Sequence, residues 1–175
     1  MSYGGRVLGT MKCEMKGMIC VLLFSLSFLS PLAAAGNYRL GLGAGTFDAF
    51  DEADTLVGAL TLEGEPHAAL WHVRPTLQLL AIDDSGYYLG LGVLKEFSFN
   101  DDWSCGFGFS AGLAHESSES RALEHDLEFY SRILLARQIN QNNAMRLELG
   151  HISNGGMSDT NPGTEPLMLF WIHTF

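Results

Sequence analysis

Two-residue alternation dominates this chain. After residue 35 the sequence breaks into eight segments of roughly ten residues, and in each one apolar side chains occupy every second position. Trp103, Cys105, Phe107, Phe109, Ala111 and Leu113 oppose Ser104, Gly106, Gly108, Ser110 and Gly112. Tyr87, Leu89, Leu91 and Val93 oppose Tyr88, Gly90, Gly92 and Glu96, and Met145, Leu147 and Leu149 oppose Arg146 and Glu148. A period of two puts alternate residues on opposite faces of a strand. Gly, Asn, Asp and Pro cluster between the segments, as at Gly64-Glu65-Pro66 and Asn100-Asp101-Asp102, and read as turns.

Strands of about 9–11 residues can cross a bilayer when tilted, and a closed barrel leaves no backbone group unpaired in lipid. Eight such strands, aromatics near strand ends, sparse charge and a terminal Phe175 predict an all-β fold: an eight-stranded antiparallel transmembrane β-barrel of the outer membrane. Inward glycines suit a barrel this narrow. The competing architecture is a soluble sandwich or lipocalin-like barrel, with the apolar face turned inward. Met168, Phe170 and Ile172 make the second face of the last strand apolar too, so one side of the interior is expected to be a dry core.

Residues 1–35 read as a secretory signal peptide to be removed, leaving 36–175 as the barrel domain. Lys12 and Lys16 precede an apolar run from Met18 to Leu29, and Ala33-Ala34-Ala35 offers a cleavage site. Met11 or Met15 is an alternative start. The net charge is −10, and the leader holds Arg6, Lys12 and Lys16 against Glu14 alone, so its removal makes the chain more acidic. Nucleic acid is thereby excluded as a partner, since it demands a basic footprint. Cys105 alone survives cleavage, which rules out an internal disulfide, and it reads as a small apolar strand residue.

Near the C-terminus lies Gly150-His151-Ile152-Ser153-Asn154-Gly155-Gly156, followed by Asn161-Pro162-Gly163-Thr164-Glu165. Ser, His and a carboxylate are the parts of an acyl-transfer triad. On a strand, His151 and Ser153 share a face about 6.5–7 Å apart. A hairpin through the Gly/Asn/Pro-rich loop could return Glu165 to the side of His151. By parity all three point the same way as Leu147, Leu149, Leu167, Leu169 and Trp171, outward toward lipid. A triad there must draw its substrate from the membrane. With long loops external and odd strands running outward, the site falls in the outer leaflet, which in a Gram-negative outer membrane is largely lipopolysaccharide.

Over its last 30 or so residues the chain resembles the PagL-type lipid A 3-O-deacylases, the acyloxyacyl hydrolase-like lipid A deacylase family. His151-Ile152-Ser153-Asn154 matches their H-x-S-N, and Asn161-Pro162-Gly163-Thr164-Glu165 their N-x-G-x-E, with the same spacing. The resemblance implies a serine hydrolase with Ser153 as nucleophile, His151 as general base and Glu165 orienting His151. It places oxyanion support at Asn154, Gly155, Gly156 and Asn161, and lipid A in the outer leaflet as substrate. No cofactor or metal is required, and whether two copies pair as a homodimer stays open. The other class of function is a non-catalytic small barrel for adhesion or membrane integrity.

Three further expectations follow. His72, His115, His125 and His173 lack ligand spacing and read as surface or interface residues. Asp48, Asp51, Glu52 and Asp54 read as a solvated turn at the periplasmic end. Leu147, Leu149, Leu167, Leu169 and Trp171 offer an apolar track for an acyl chain.

Overall fold

A computed structural model describes residues 36–50, 55–83, 86–115, 126–158 and 163–175. The alternating segments form eight strands: β1 (Arg39–Thr46), β2 (Leu56–Glu63), β3 (Arg74–Ile82), β4 (Gly86–Ser98), β5 (Trp103–His115), β6 (Leu127–Asn140), β7 (Asn143–Ser153) and β8 (Leu167–Thr174). Each pairs antiparallel with the next, and β1 pairs with β8 to close the barrel. The signal-peptide expectation for 1–35 lies outside the described residues.

Burial follows the sequence parity strand by strand. On β7, Met145, Leu147 and His151 are exposed while Arg146, Glu148, Gly150 and Ile152 are buried. On β8, Leu167, Leu169 and Trp171 are exposed while Met168, Phe170 and Ile172 are buried. The outer wall is a belt of exposed Leu, Phe, Val and Ile, and the interior holds fully buried Arg146, Glu63, Glu128 and Glu148. This inverts a water-soluble protein, where large apolar groups go in and charges stay out. The soluble-barrel alternative is thereby rejected, and Cys105 falls on the exposed outer wall of β5.

Two layers fill the lumen. Toward the end of the barrel where β7 finishes, Phe47, Val57, Leu80, Tyr88, Tyr130, Ile152, Met168 and Phe170 form an apolar plug, the dry core that the last strand's doubled apolarity foretold. Large side chains lean over inward glycines: a Cβ at Gly43 would lie 2.6 Å from the Phe170 ring, and one at Gly150 2.0 Å from Tyr130. The second layer is ionic. Arg146 binds Glu63 at 2.6 Å and Glu148 at 2.7 Å, Arg132 approaches Glu148 at 3.5 Å, and Arg39 bridges Glu63 and Glu96. Arg132 donates to Gln78, which also accepts from Ser110 at 3.0 Å, and Ser110 bonds Tyr88 at 3.0 Å. These residues come from β1 through β7, so the network ties the wall together from inside.

The two rims differ. The chain ends share one rim with the connections 64–73, 99–102 and 141–142, while 47–55, 83–85, 116–126 and 154–166 link strands at the other, and on average these are the longer. Short turns mark the periplasmic side and long loops the external side. The approach to β3 is irregular, and one expectation changes here. Trp71 and Val73 do not begin a strand: a 3-10 turn at Ala68–Leu70 is followed by Trp71 and His72 in left-handed backbone, φ 53° and 59°, and β3 starts only at Arg74. Asp48 is not periplasmic, because β1 runs outward and its end, Thr46, pairs with Leu167 at the external rim; Asp51, Glu52 and Asp54 lie outside the described residues.

Candidate active site

Register brings His151 and Glu165 together. Leu149 pairs with Leu167, Ile152 and Thr164 form an isolated bridge, and Gly150 N–H donates to Pro166 O at 2.9 Å. His151 and Glu165 are therefore direct cross-strand neighbours on the outward face. His151 Nδ1 and Glu165 Oε1 lie 2.9 Å apart, with the side chains 49 % and 33 % exposed. An ionised carboxylate can only accept, so Nδ1 carries the proton in this contact, which in a neutral imidazole leaves the lone pair on Nε2. Ser153 closes β7 two residues on, partly buried, opposite Phe129. No hydrogen bond joins Ser153 to His151 among the described residues. The structure thus brings His151 and Glu165 into contact and sets Ser153 beside them on the same face.

The loop after Ser153 is shaped by Asn154. Its fully buried side chain accepts from Gly156 N–H at 2.8 Å and donates to Ser158 Oγ at 2.6 Å. Asn154 and the Gly156 amide are thus engaged in holding the loop. Gly155 and Gly156 have φ of 66° and 81°, backbone that only glycine adopts without strain. Asn161 lies outside the described residues.

Gly163 is needed twice over. Its φ is 68°, and a Cβ there would sit 2.8 Å from His151 Cε1 and 3.5 Å from Nε2. Gly163 therefore lets the loop backbone lie against the imidazole ring. Gly163→Ala should push the ring off Glu165; with His151 as the general base that the family resemblance implies, turnover of lipid A should fall by on the order of 10²-fold, the cost of misplacing such a group by about 1 Å. Steady-state kinetics in detergent micelles check this, with heat-modifiable gel mobility to show that the barrel remains folded.

The loop after β1 is the part of the site that sequence reasoning missed. Ala49 N–H donates to Glu165 O at 2.9 Å, and the buried Thr164 hydroxyl donates to Phe47 O at 2.7 Å. The loop is thus hydrogen-bonded to the segment that carries Glu165. Phe50 reaches a groove of about 570 Å³ on the outer wall, whose floor includes Phe107, Phe109, Ile133 and Leu149 and whose head is His151 and Glu165. The apolar track was expected on β7 and β8. Leu147, Leu167, Leu169 and Trp171 are indeed exposed there, but the concave surface beside His151 runs the other way, over β5, β6 and β7. Cross-strand ridges of Phe make a trough, which alternation within one strand cannot reveal. Among the described residues no three of His, Cys, Asp and Glu converge as metal ligands.

A family model described as lipid A 3-O-deacylase (PagL) matches residues 58–174, two thirds of the chain and both motif segments. The chain belongs to this family. Among solved structures, it is similar to the crystal structure of the outer membrane enzyme PagL, with a TM-score of 0.60 at 16 % identity, covering 78 % of this chain and 99 % of that one. A de novo designed transmembrane β-barrel gives a TM-score of 0.56 at 8 % identity, covering 80 % and 96 %. The Yersinia pestis outer membrane protein Ail gives 0.52 at 14 % identity, covering 80 % and 99 %. No curated protein matches. The shared fold, the apolar wall and the membership of the PagL family place this chain in the outer membrane, in a family of lipid A hydrolases.

Proposed function

We propose that this protein removes the ester-linked 3-position acyl chain of lipid A, using Ser153, His151 and Glu165 as a serine-hydrolase triad. The observation that carries this reading is the His151–Glu165 hydrogen bond on the lipid-facing wall, at the external rim, with Ser153 on the same face. Buried ionic pairs can be structural. This pair is exposed, where an ion pair contributes little stability, so it is better explained by chemistry. Cleavage of residues 1–35 and export precede folding into the membrane.

His151 Nε2 takes the Ser153 proton as Oγ attacks the ester carbonyl. Glu165 holds the imidazole in the required tautomer and stabilises the imidazolium. The oxyanion is met by donors of the loop that begins at Asn154, each worth about 3–4 kcal/mol; the Asn154 side chain and the Gly156 N–H, already bonded within the loop, support its shape, and Asn161 is proposed from the family motif alone. The imidazolium then gives its proton to the sugar alkoxide, which leaves, and water resolves the acyl-enzyme by the same route to free the fatty acid. The groove over Phe109, Ile133 and Leu149 is the place for the acyl chain. Because the alternative environment is lipid rather than water, its selectivity rests on shape rather than on hydrophobic transfer.

A non-catalytic barrel is the other reading, and the fold cannot decide against it, since a designed barrel shares it. Mass spectrometry of the products of purified protein and lipid A decides. Release of a single 3-hydroxy fatty acid supports the 3-position. Release of a non-hydroxylated secondary chain would refute that position while keeping the esterase, and no release would favour the non-catalytic barrel.

A further inference from the structure

We propose that Lys95 and Trp71, with the apolar groove beside them, form a binding site for an anionic glycerophospholipid of the periplasmic leaflet. The first observation is where charge sits on the wall. Among the described strand residues, the outward faces carry two Lys or Arg side chains, Lys95 and Arg137, and no Asp or Glu. Both lie in the half of the barrel nearer the short turns. Lys95 stands three residues before Ser98, the end of β4, and Arg137 pairs with Trp103 at the start of β5. In a chain of net charge −10, these two described lipid-facing cations lie in the leaflet opposite His151.

The second observation is the shape around Lys95. A groove of about 460 Å³ is lined by Val73, Val93, Phe97, Phe107 and Phe109, with Trp71 and Lys95 completing it. Its lining is carbon apart from the ammonium and its surroundings. Trp71 is 84 % exposed and held off the wall by two successive left-handed residues. Its carbonyl accepts from Lys95 Nζ, and the ammonium also lies 5.3 Å from the Phe97 ring centre. An ammonium has three donors, so Trp71 O fixes its position and leaves donors for a second acceptor. A lysine stem lying on apolar wall with its head directed to the interface, beside an amphipathic indole, is the arrangement that meets a lipid headgroup. Phosphate on Lys95 and acyl chains along Val93, Phe107 and Phe109 satisfy both parts of the groove. The groove shares Phe107 and Phe109 with the trough below His151, so the two sites back onto one aromatic ridge from opposite leaflets.

The test uses the full barrel in phosphatidylcholine vesicles, with Trp103 and Trp171 replaced by Phe so that Trp71 alone fluoresces. Phospholipids with brominated acyl chains are titrated in, carrying either phosphatidylglycerol or phosphatidylcholine headgroups. Brominated phosphatidylglycerol should quench Trp71 with about fivefold preference over phosphatidylcholine, the factor one basic residue contributes at an anionic interface. Lys95→Gln should abolish the preference, and Arg137→Gln should leave it unchanged. Equal quenching by both lipids, or a preference that survives Lys95→Gln, would overturn the proposal. So would absence of quenching by either, which would mean that a second chain covers Trp71. The readout is independent of deacylation, so it stands or fails apart from the proposed function.

Discussion

Ser153→Ala should abolish deacylation, with a loss of about 10⁴-fold or more in rate, and leave the barrel intact. His151→Ala should do the same, because the two groups act as one unit and either loss removes the whole proton-transfer path. Glu165→Ala should cost less. Its 2.9 Å bond orients His151, but loop contacts around Gly163 still confine the ring. The measurement is turnover of lipid A in micelles, paired with a gel-mobility check of folding. Ser153 lies at the strand end on the outer wall, outside both interior layers, so its hydroxyl can be removed without disturbing either. Near-normal turnover by Ser153→Ala would reject it as the nucleophile.

The second large effect concerns the interior. Arg146→Met should destabilise the barrel by about 3–5 kcal/mol, the cost of leaving buried carboxylates without their partner. Arg146 is the shared partner of Glu63 and Glu148 and lies 5.4 Å from the Phe170 ring. Arg39 and Arg132 still reach those carboxylates, so the lower end of the range is expected. Replacing the whole Glu63–Arg146–Glu148 set with apolar residues should cost far less than Arg146→Met alone. Urea titration of the protein in lipid vesicles measures this. An unchanged midpoint in Arg146→Met would mean the network contributes nothing to the fold.

Much of this was legible in the sequence because a barrel is a periodic object. A period of two assigns every strand residue to wall or lumen, and His151 and Ser153 inherit their outward direction from Leu147 and Leu149. The pairing of His151 with Glu165 was legible too, since a hairpin across the Asn154–Thr164 loop permits it. The details that failed depend on contacts between segments far apart in sequence. The hold of the β1–β2 loop on Glu165 and Thr164 joins residues more than 100 positions apart. The groove beside His151 arises where Phe109, Ile133 and Leu149 of three strands meet. The ionic layer is also collective: Arg39, Glu63, Arg132, Arg146 and Glu148 come from β1, β2, β6 and β7, and closure of the barrel brings Arg146 to Glu63.

Deacylation of lipid A by the lipid-facing Ser153 is the step on which the proposed function turns. Its most direct test is mass spectrometry of lipid A from Gram-negative cells producing either the full chain or its Ser153→Ala variant at equal levels in the outer membrane. Cells with the unaltered chain should lose one 3-hydroxyacyl group per lipid A, and cells with the variant should keep it. Lipid A identical in the two strains, whether both intact or both shortened, would contradict it.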